Sequence, residues 1–154
     1  MNYFAYGYNM GAREMSPLLS RRSRRLPAWL KGHALVFDNQ SLTDRRIGFA
    51  NVRKRNGAVV HGVLYTDLSE RAFRSLDRNE DVPRSYIQKV LAVETDEGPV
   101  RAAVYVGNPA RRRAGLRPSR HYLDRLLKGR DLLPAPYSKK IRSVRTAPPR
   151  PPTA

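Results

Sequence analysis

Six short segments rich in β-branched and aromatic residues constrain the fold of this chain more than any other feature. Each is bounded by Gly, Asp, Asn or Pro, which end strands and form turns. Asn56-Gly57 and Asp96-Glu97-Gly98 are hairpin signals between neighbouring segments. Six strands suffice for a closed barrel, so we predict an α+β fold, a small mixed, mostly antiparallel six-stranded β-barrel with flanking helices. The predicted strands are residues 3–6, 34–37, 49–52, 59–65, 86–93 and 100–106.

Two flanking helices are predicted from the spacing of apolar residues. The first is expected over residues 69–79, with Asp67 as its N-cap and Glu70 three residues later, which is the spacing of a capping box. The second is expected to begin near Ser119 and to end at Gly129. Each helix has one apolar face for the core. These faces consist of Leu68, Ala72, Phe73 and Leu76 in the first helix and of Tyr122, Leu123, Leu126 and Leu127 in the second.

Length and composition predict one domain followed by a tail. The chain has 154 residues, 40% of them hydrophobic, which is enough for one domain with its own core. We assign residues 1–142 to this domain and residues 143–154, which end in TAPPRPPTA, to a disordered Pro-rich tail. The chain contains no cysteine, no signal-peptide pattern and no long uninterrupted apolar run. A cytoplasmic protein that does not enter the membrane is therefore expected.

The formal net charge of +17 predicts attraction to polyanions without sequence specificity. The arginines cluster in apparent loops, without the aromatic interleaving of a stacking platform and without a recognised nucleic-acid-binding motif. Two interpretations stay open, a solvated arginine surface with non-specific polyanion binding as a by-product, and a surface that binds nucleic acid. The clusters are residues 21–25, 45–46, 53–55 and 111–113.

The N-terminal segment YFAYGYNM, residues 3–10, is a candidate ligand cradle. It has the pattern of a buried strand that enters a turn, in which Gly7 and Asn9 tolerate the positive φ that directs backbone N–H groups outward. Such a turn can hold an anion. Any buried strand followed by a Gly/Asn turn has the same pattern, so a purely structural role is the alternative.

Glu80 lies four residues after Leu76 and so continues the apolar stripe of the first predicted helix. A carboxylate on that face points at the core or at a cleft, where desolvation raises its pKa and makes it suitable as a general acid/base. Because Pro83 disfavours helix nearby, the helix can instead end at Leu76 or Arg78. Glu80 would then cap a loop or pair with an arginine.

Other catalytic constellations have little support. His33, His61 and His121 are scattered, without a second histidine at ligand spacing and without cysteine, so we predict no metal site. No GxSxG elbow, Walker loop or GxGxxG fingerprint occurs. The sequence therefore argues against a nucleophilic triad and against nucleotide-dependent transfer.

Several motifs, in their order and spacing, resemble the γ-glutamylcyclotransferase family, including its AIG2-like relatives. The N-terminal signature of this family is YGSN followed by an apolar residue. Tyr6, Gly7, Asn9 and Met10 match this signature, whereas Tyr8 stands where serine is usual.

The acidic signature of the same family is Leu, Asp, two variable residues, Glu and usually Gly. Leu76, Asp77 and Glu80 match it, and Asp81 does not. The resemblance covers residues 2–142. Further matches are GFAN at 48–51, GVLY at 62–65, Tyr86, Pro118-Ser119 with Tyr122, and Leu133-Pro134 with Tyr137.

The resemblance implies an enzyme without a cofactor or metal that acts on a small γ-glutamyl compound. In the implied reaction the free α-amine attacks the γ-carbonyl carbon, 5-oxoproline forms, and the attached amine or amino acid leaves. Glu80 matches the family's catalytic acid/base. The turn of residues 6–10 would bind the substrate through backbone N–H groups and the Asn9 side chain, and Tyr86 and Tyr137 are expected in the pocket wall.

Two departures from the family pattern bear on this expectation. The phenol of Tyr8 can narrow the pocket or swing outward. Asp81 replaces glycine, which is unfavourable if the position needs positive φ, and a carboxylate facing Glu80 would raise the apparent pKa values of the pair. The alternative function is a non-catalytic basic binding protein on the same fold, and a filled or arginine-neutralised site would favour it.

Overall fold

The computed structural model describes residues 1–150 of the chain and contains a closed β-barrel. Its strands are β1 (Tyr3–Ala5), β2 (Arg25–Gln40), β3 (Gly48–Tyr65), β4 (Tyr86–Thr95) and β5 (Gly98–Gly107). Around the barrel they follow the order β1-β3-β2-β4-β5. The barrel closes through the parallel pair of β1 and β5, while the other neighbours are antiparallel. The predicted α+β fold with a mixed, mostly antiparallel barrel is confirmed.

The barrel has five strands where the sequence predicted six. The two segments expected on either side of Asn56-Gly57 are joined in the single strand β3. At this point four residues of β3, 55–58, stand opposite Gly32 of β2. Gly32 and Gly57 have φ of 69° and 79°, which glycine adopts without steric cost. The Asn-Gly signal therefore marks a β-bulge and not a hairpin.

Four α-helices flank the barrel within residues 1–150. They are α1 (Ala12–Met15), α2 (Glu70–Asn79), α3 (Arg120–Leu126) and α4 (Ala135–Arg142). The cap predicted at Asp67 is wrong. Ser69 caps α2 because its hydroxyl accepts a hydrogen bond from the Ala72 N–H at 3.1 Å, while Asp67 has a φ of 57° outside the helix.

The second predicted helix begins as expected and ends differently. Ser119 caps α3 by accepting from the Tyr122 N–H at 3.1 Å. The α-helical turns end at Leu126, and a 3-10 segment continues past Gly129 to Leu132. The apolar faces of α2 and α3 are buried, as the stripes predicted. Among residues 1–150, no helix has the length and apolar character needed to cross a bilayer.

Part of the predicted tail contacts the domain. The Ala147 N–H donates to the Pro118 carbonyl at 2.9 Å, and Arg150 forms an ion pair with Asp44 at 3.2 Å. Residues 151–154 of the tail lie outside the described residues. The domain boundary at residue 142 stays a prediction.

Candidate active site

A narrow pocket of about 40 Å³, here the inner pocket, lies between β1, the turn after it and the end of α2. Four of the five strands contribute to its wall. It shares Tyr8, Glu80, Tyr86 and Tyr122 with a wider cavity of about 540 Å³, here the outer cleft. The inner pocket is lined by Tyr3, Phe4, Tyr6, Gly7, Tyr8, Ala50, Glu80, Tyr86, Tyr105 and Tyr122.

Glu80 enters this pocket from the C-terminal end of α2. The helix continues to Asn79, so neither of the earlier ends considered from the sequence, Leu76 or Arg78, is correct. The Glu80 N–H donates to the Leu76 carbonyl at 2.8 Å and completes the last turn. Glu80 therefore keeps the register of the apolar stripe, and its carboxyl group lines both cavities.

The Glu80 carboxyl is desolvated without compensation. Burial raises its pKa from 4.5 to about 7, and burial is the only cause of the shift. Among residues 1–150 the carboxylate accepts no hydrogen bond and has no cation within 4.0 Å. The site is therefore not neutralised by an arginine, in spite of the net charge of +17.

Replacing Glu80 should alter the pH dependence of stability. Since the folded pKa of about 7 exceeds the ordinary 4.5, an unfolded chain releases this proton first as pH rises. The wild type should thus lose stability between these two pH values, and Glu80→Gln should not show this loss. Melting temperatures of both proteins across this range test the prediction. A difference that stays constant with pH would contradict the raised pKa.

Five of the six tyrosines that line the inner pocket are buried and surround the Glu80 carboxyl group, while the sixth, Tyr8, is exposed. Burial raises the pKa of every one of these phenols, and the negative charge of Glu80 raises it further. All five are therefore protonated at neutral pH and can donate hydrogen bonds. They are Tyr3, Tyr6, Tyr86, Tyr105 and Tyr122.

Three of these phenols donate hydrogen bonds to acceptors within the protein. Tyr6 donates to the Tyr105 carbonyl, and Tyr86 donates to the Ala50 carbonyl at 2.7 Å. Tyr105 donates to the Asp77 carboxylate at 2.6 Å. These bonds fix the pocket wall, and Asp77, one helical turn before Glu80, helps to hold it.

The other two phenols act as acceptors. The Tyr3 oxygen accepts from the Asn9 side-chain amide at 3.2 Å, and the Tyr122 oxygen accepts from the Ala50 N–H at 3.1 Å. Neither hydroxyl donates to an acceptor within residues 1–150. Tyr3 and Tyr122 each retain a proton that a ligand in the inner pocket can accept.

The turn after β1 differs from the predicted nest. Gly7 has φ −126°, and the turn continues as a 3-10 helix over Tyr8–Met10, so the positive φ expected at Gly7 and Asn9 is wrong. The surroundings of Gly7 nevertheless leave little room for a side chain. A Cβ on Gly7 would lie 3.3 Å from the Tyr122 oxygen and 3.4 Å from the Ala50 Cβ, which is tight packing.

Of the other predicted site residues, two line a cavity and two do not. Tyr86 lines both cavities, and Asn9 lines the outer cleft. Met10 is fully buried and lines neither cavity. Tyr137 packs its ring against His61, with ring centres 5.0 Å apart, and also lines neither cavity. Met10 and Tyr137 are therefore not pocket residues, because their side chains pack elsewhere in the fold.

Tyr8, which departs from the family signature, stands where the two cavities meet. Its side chain is 45% exposed and lines both of them. The guanidinium of Arg125 lies 4.5 Å from the centre of its ring, a cation–π contact, and Arg125 forms an ion pair with Glu14 at 2.9 Å. Tyr8 is thus held at the mouth of the inner pocket.

Asp81, the second departure, has the positive φ of 52° that favours glycine. Its carboxylate pairs with Arg84 and accepts from the Ser85 hydroxyl, both at 2.7 Å, and the Arg84 hydrogen bond lowers its pKa. The Asp81 carboxylate therefore interacts with Arg84 and Ser85 and not with Glu80. No cluster of His, Asp or Glu suited to a metal occurs within residues 1–150.

Sequence comparison identifies the family of this chain. The profile of the family described as "Gamma-glutamyl cyclotransferase, AIG2-like" matches residues 3–124. The chain belongs to the AIG2-like γ-glutamylcyclotransferase family. The matched residues include the turn after β1, Glu80 and all six tyrosines of the inner pocket.

The individual proteins that this chain resembles are only distantly similar to it in sequence. A Methanocaldococcus jannaschii protein named "Gamma-glutamylcyclotransferase and putative RNase" is 26% identical over 97 residues, which span 63% of this chain and 41% of that protein. A solved "Gamma-glutamyl cyclotransferase" superposes with a TM-score of 0.83 at 23% identity over 100% of this chain and 93% of the other. A human protein gives 0.82 at 23% identity over 99% and 92%. The structural likeness establishes the shared γ-glutamylcyclotransferase fold.

Proposed function

We propose that this protein cyclises a γ-glutamyl compound to 5-oxoproline and releases an amine or amino acid, with Glu80 as the general acid/base. The observation that carries the proposal is the Glu80 carboxyl, which lies without a protein partner in a tyrosine-lined pocket and has a pKa of about 7. A structural carboxylate at such a position would be expected to have a cation or hydrogen-bond donors around it. A partner-free one is suited to proton transfer.

The reaction needs two proton transfers that one carboxylate can make in turn. Ionised Glu80 takes a proton from the α-ammonium, and the freed lone pair attacks the γ-carbonyl carbon. The C–N bond of the ring forms, and the carbonyl π electrons move to its oxygen. When this tetrahedral intermediate collapses, the C=O bond re-forms, the bond to the leaving nitrogen breaks, and protonated Glu80 returns its proton to that nitrogen. The positively charged ring nitrogen gives its second proton to the solvent, so that a neutral lactam and a free amine are released. Attack within one molecule needs no second reactant, only a folded substrate.

The inner pocket has donors for the oxyanion of this intermediate. We assign this role to Tyr3 and Tyr122, whose hydroxyl protons have no acceptor among the described residues. Donors fixed in advance in a dry pocket stabilise developing charge more than water does. The backbone N–H groups of Tyr8 and Asn9 and the Asn9 side chain are assigned to the substrate α-carboxylate, whereas the Met10 N–H donates to the Gly7 carbonyl at 3.3 Å.

An acceptor for a substrate nitrogen is present in the outer cleft. Asn39 is 2% exposed, its amide nitrogen donates to the Ser85 carbonyl at 3.0 Å, and its amide oxygen has no partner among residues 1–150. A buried unpaired oxygen is unfavourable unless a donor reaches it. We assign it to an N–H group of the bound γ-glutamyl compound.

The proposal is tested by incubating the purified protein with a panel of γ-glutamyl amino acids, peptides and amines and measuring 5-oxoproline. At least one compound should give 5-oxoproline and its free amine in equal amounts, without added cofactor. Release of glutamate in place of 5-oxoproline would indicate hydrolysis and contradict the proposal. The absence of product from every class would leave the binding-protein alternative.

The basic surface is expected to bind nucleic acid only through phosphate contacts. Because such binding releases counterions, affinity should fall steeply between about 50 and about 200 mM salt and should not differ between DNA sequences. Fluorescence anisotropy with two unrelated duplexes of equal length measures both properties. Salt-resistant and sequence-selective binding would favour the alternative of a dedicated binding protein.

A further inference from the structure

The outer cleft presents exposed apolar side chains next to the proposed reaction centre. Five large apolar side chains are exposed among residues 1–150, and two of them, Tyr8 and Leu42, line this cleft at 45% and 50% exposure. The half-buried Phe49 lines it as well. Apolar side chains that are exposed together, and not singly, mark a surface that a ligand covers.

The Tyr8 ring is held in position before any ligand binds. Arg125 lies over the ring at 4.5 Å, and its ion pair with Glu14 limits its own movement. When a ligand packs against Tyr8, the Tyr8 side chain therefore loses little conformational entropy.

Leu42 is also presented by an ordered element. It lies in the loop of residues 41–47 that joins β2 and β3. The Ser41 hydroxyl accepts from the N–H groups of Thr43 and Asp44, each at 3.2 Å, and the Ser41 N–H donates to the Ile47 carbonyl at 2.9 Å. The exposure of Leu42 is thus fixed by the hydrogen bonds of its loop.

The guanidinium groups beside the cleft are already engaged. Arg111 donates to the carbonyls of Gln40 and Ser41 at 3.1 and 3.4 Å. Arg125 pairs with Glu14 at 2.9 Å.

Neither lysine nor arginine lines the cleft among the described residues, and its histidine, His121, is exposed to solvent. Its one aspartate, Asp81, is already paired with Arg84. The α-carboxylate of a leaving amino acid would lose part of its hydration here without gaining a charged partner.

We propose that the outer cleft selects γ-glutamyl amides whose leaving amine carries a flat apolar group and no carboxylate, and that Tyr8 and Leu42 determine this specificity. This inference rests on the proposed function, because a γ-carbonyl beside Glu80 directs the leaving group into the cavity that shares Glu80 with the inner pocket. The ring of the amine packs against Tyr8 and Leu42.

Three related compounds test this specificity, namely γ-glutamyl phenethylamide, γ-glutamyl ethylamide, which lacks the ring, and γ-glutamylphenylalanine, which adds only a carboxylate. Their binding to Glu80→Gln is measured by calorimetry in about 150 mM salt, which weakens the attraction between a ligand carboxylate and the exposed arginines of the surface. We expect the phenethylamide to bind at least about tenfold more tightly than the ethylamide, through burial of its ring. It should also bind more tightly than γ-glutamylphenylalanine.

Adding Tyr8→Ser or Leu42→Ser should each reduce the preference for the ring, whereas Val90→Ser, an exposed apolar position on β4 outside the cleft lining, should preserve it. Equal binding of the three compounds, tighter binding of γ-glutamylphenylalanine, no binding at all, or a preference that survives both substitutions would overturn the inference. If the preference is found but the wild type releases no 5-oxoproline from the phenethylamide or from any compound of the panel, the proposed function fails and the specificity of the cleft stands.

Discussion

Glu80→Gln is expected to release 5-oxoproline at least about 10²–10⁴-fold more slowly than the wild type, the range for loss of a general acid/base. Glutamine has the size of glutamate but cannot accept the proton of an α-ammonium at neutral pH. Folding should survive, because the variant removes a desolvated carboxylate that has no cation to lose. The measurement is kcat and KM for the best substrate of the panel, with a melting curve for each protein.

The matched control is Glu70→Gln, on the same helix but exposed. It changes the same charge and should leave the rate unchanged. Asp77 lies three residues before Glu80, but Asp77→Asn is not a neutral control. The Asp77 carboxylate accepts a hydrogen bond from the Tyr105 hydroxyl and so helps to hold the pocket wall. Turnover by Glu80→Gln at the wild-type rate would disprove the mechanism while leaving the family assignment intact.

The part of the site that the sequence predicts is the part fixed by local periodicity. Glu80 follows Leu76 by four residues, and the helix extends to Asn79, so the apolar stripe places the carboxyl at a cavity. The position of Gly7 at the pocket is also predictable locally, because the segment has the pattern of a buried strand that enters a turn. Tyr137 could not be placed, since its approach to His61 depends on how α4 docks, which no local pattern specifies.

The sequence does not single out Tyr3, Tyr105 and Tyr122 as pocket residues, for the same physical reason, although Tyr3 lies within the predicted cradle of residues 3–10. A tyrosine on a buried strand or helix face has the same pattern whether its hydroxyl meets core or cavity. Tyr3 and Tyr105 come together because β1 pairs with β5 across about a hundred residues, and this pairing closes the barrel. The available signal was the unusual number of tyrosines on predicted core faces, each of which needs a partner for its hydroxyl.

The fold was predictable as a class and not in its strand count. Hairpin signals, β-branched segments and capped amphipathic helices all agree with an antiparallel-rich barrel. Asn56-Gly57 misled because the same positive φ serves a two-residue turn and a bulge. Here the result is a bulge, because the partner strand β2 is long, Arg25–Gln40, and pairs with β3 on both sides of the irregularity.

Leu76→Ala is expected to lower the free energy of unfolding by about 2–5 kcal/mol, the range for truncating a buried leucine. Leu76 is fully buried on the core face of α2, so the substitution removes apolar contacts and leaves a cavity under the last helical turn. Urea denaturation gives the change, provided that the slope with denaturant stays the same. Leu42→Ala is the control, because Leu42 is 50% exposed and its truncation should change stability by less than about 0.5 kcal/mol. Equal effects at the two positions would show that α2 does not dock through Leu76, and the placement of Glu80 at the inner pocket would lose its structural basis.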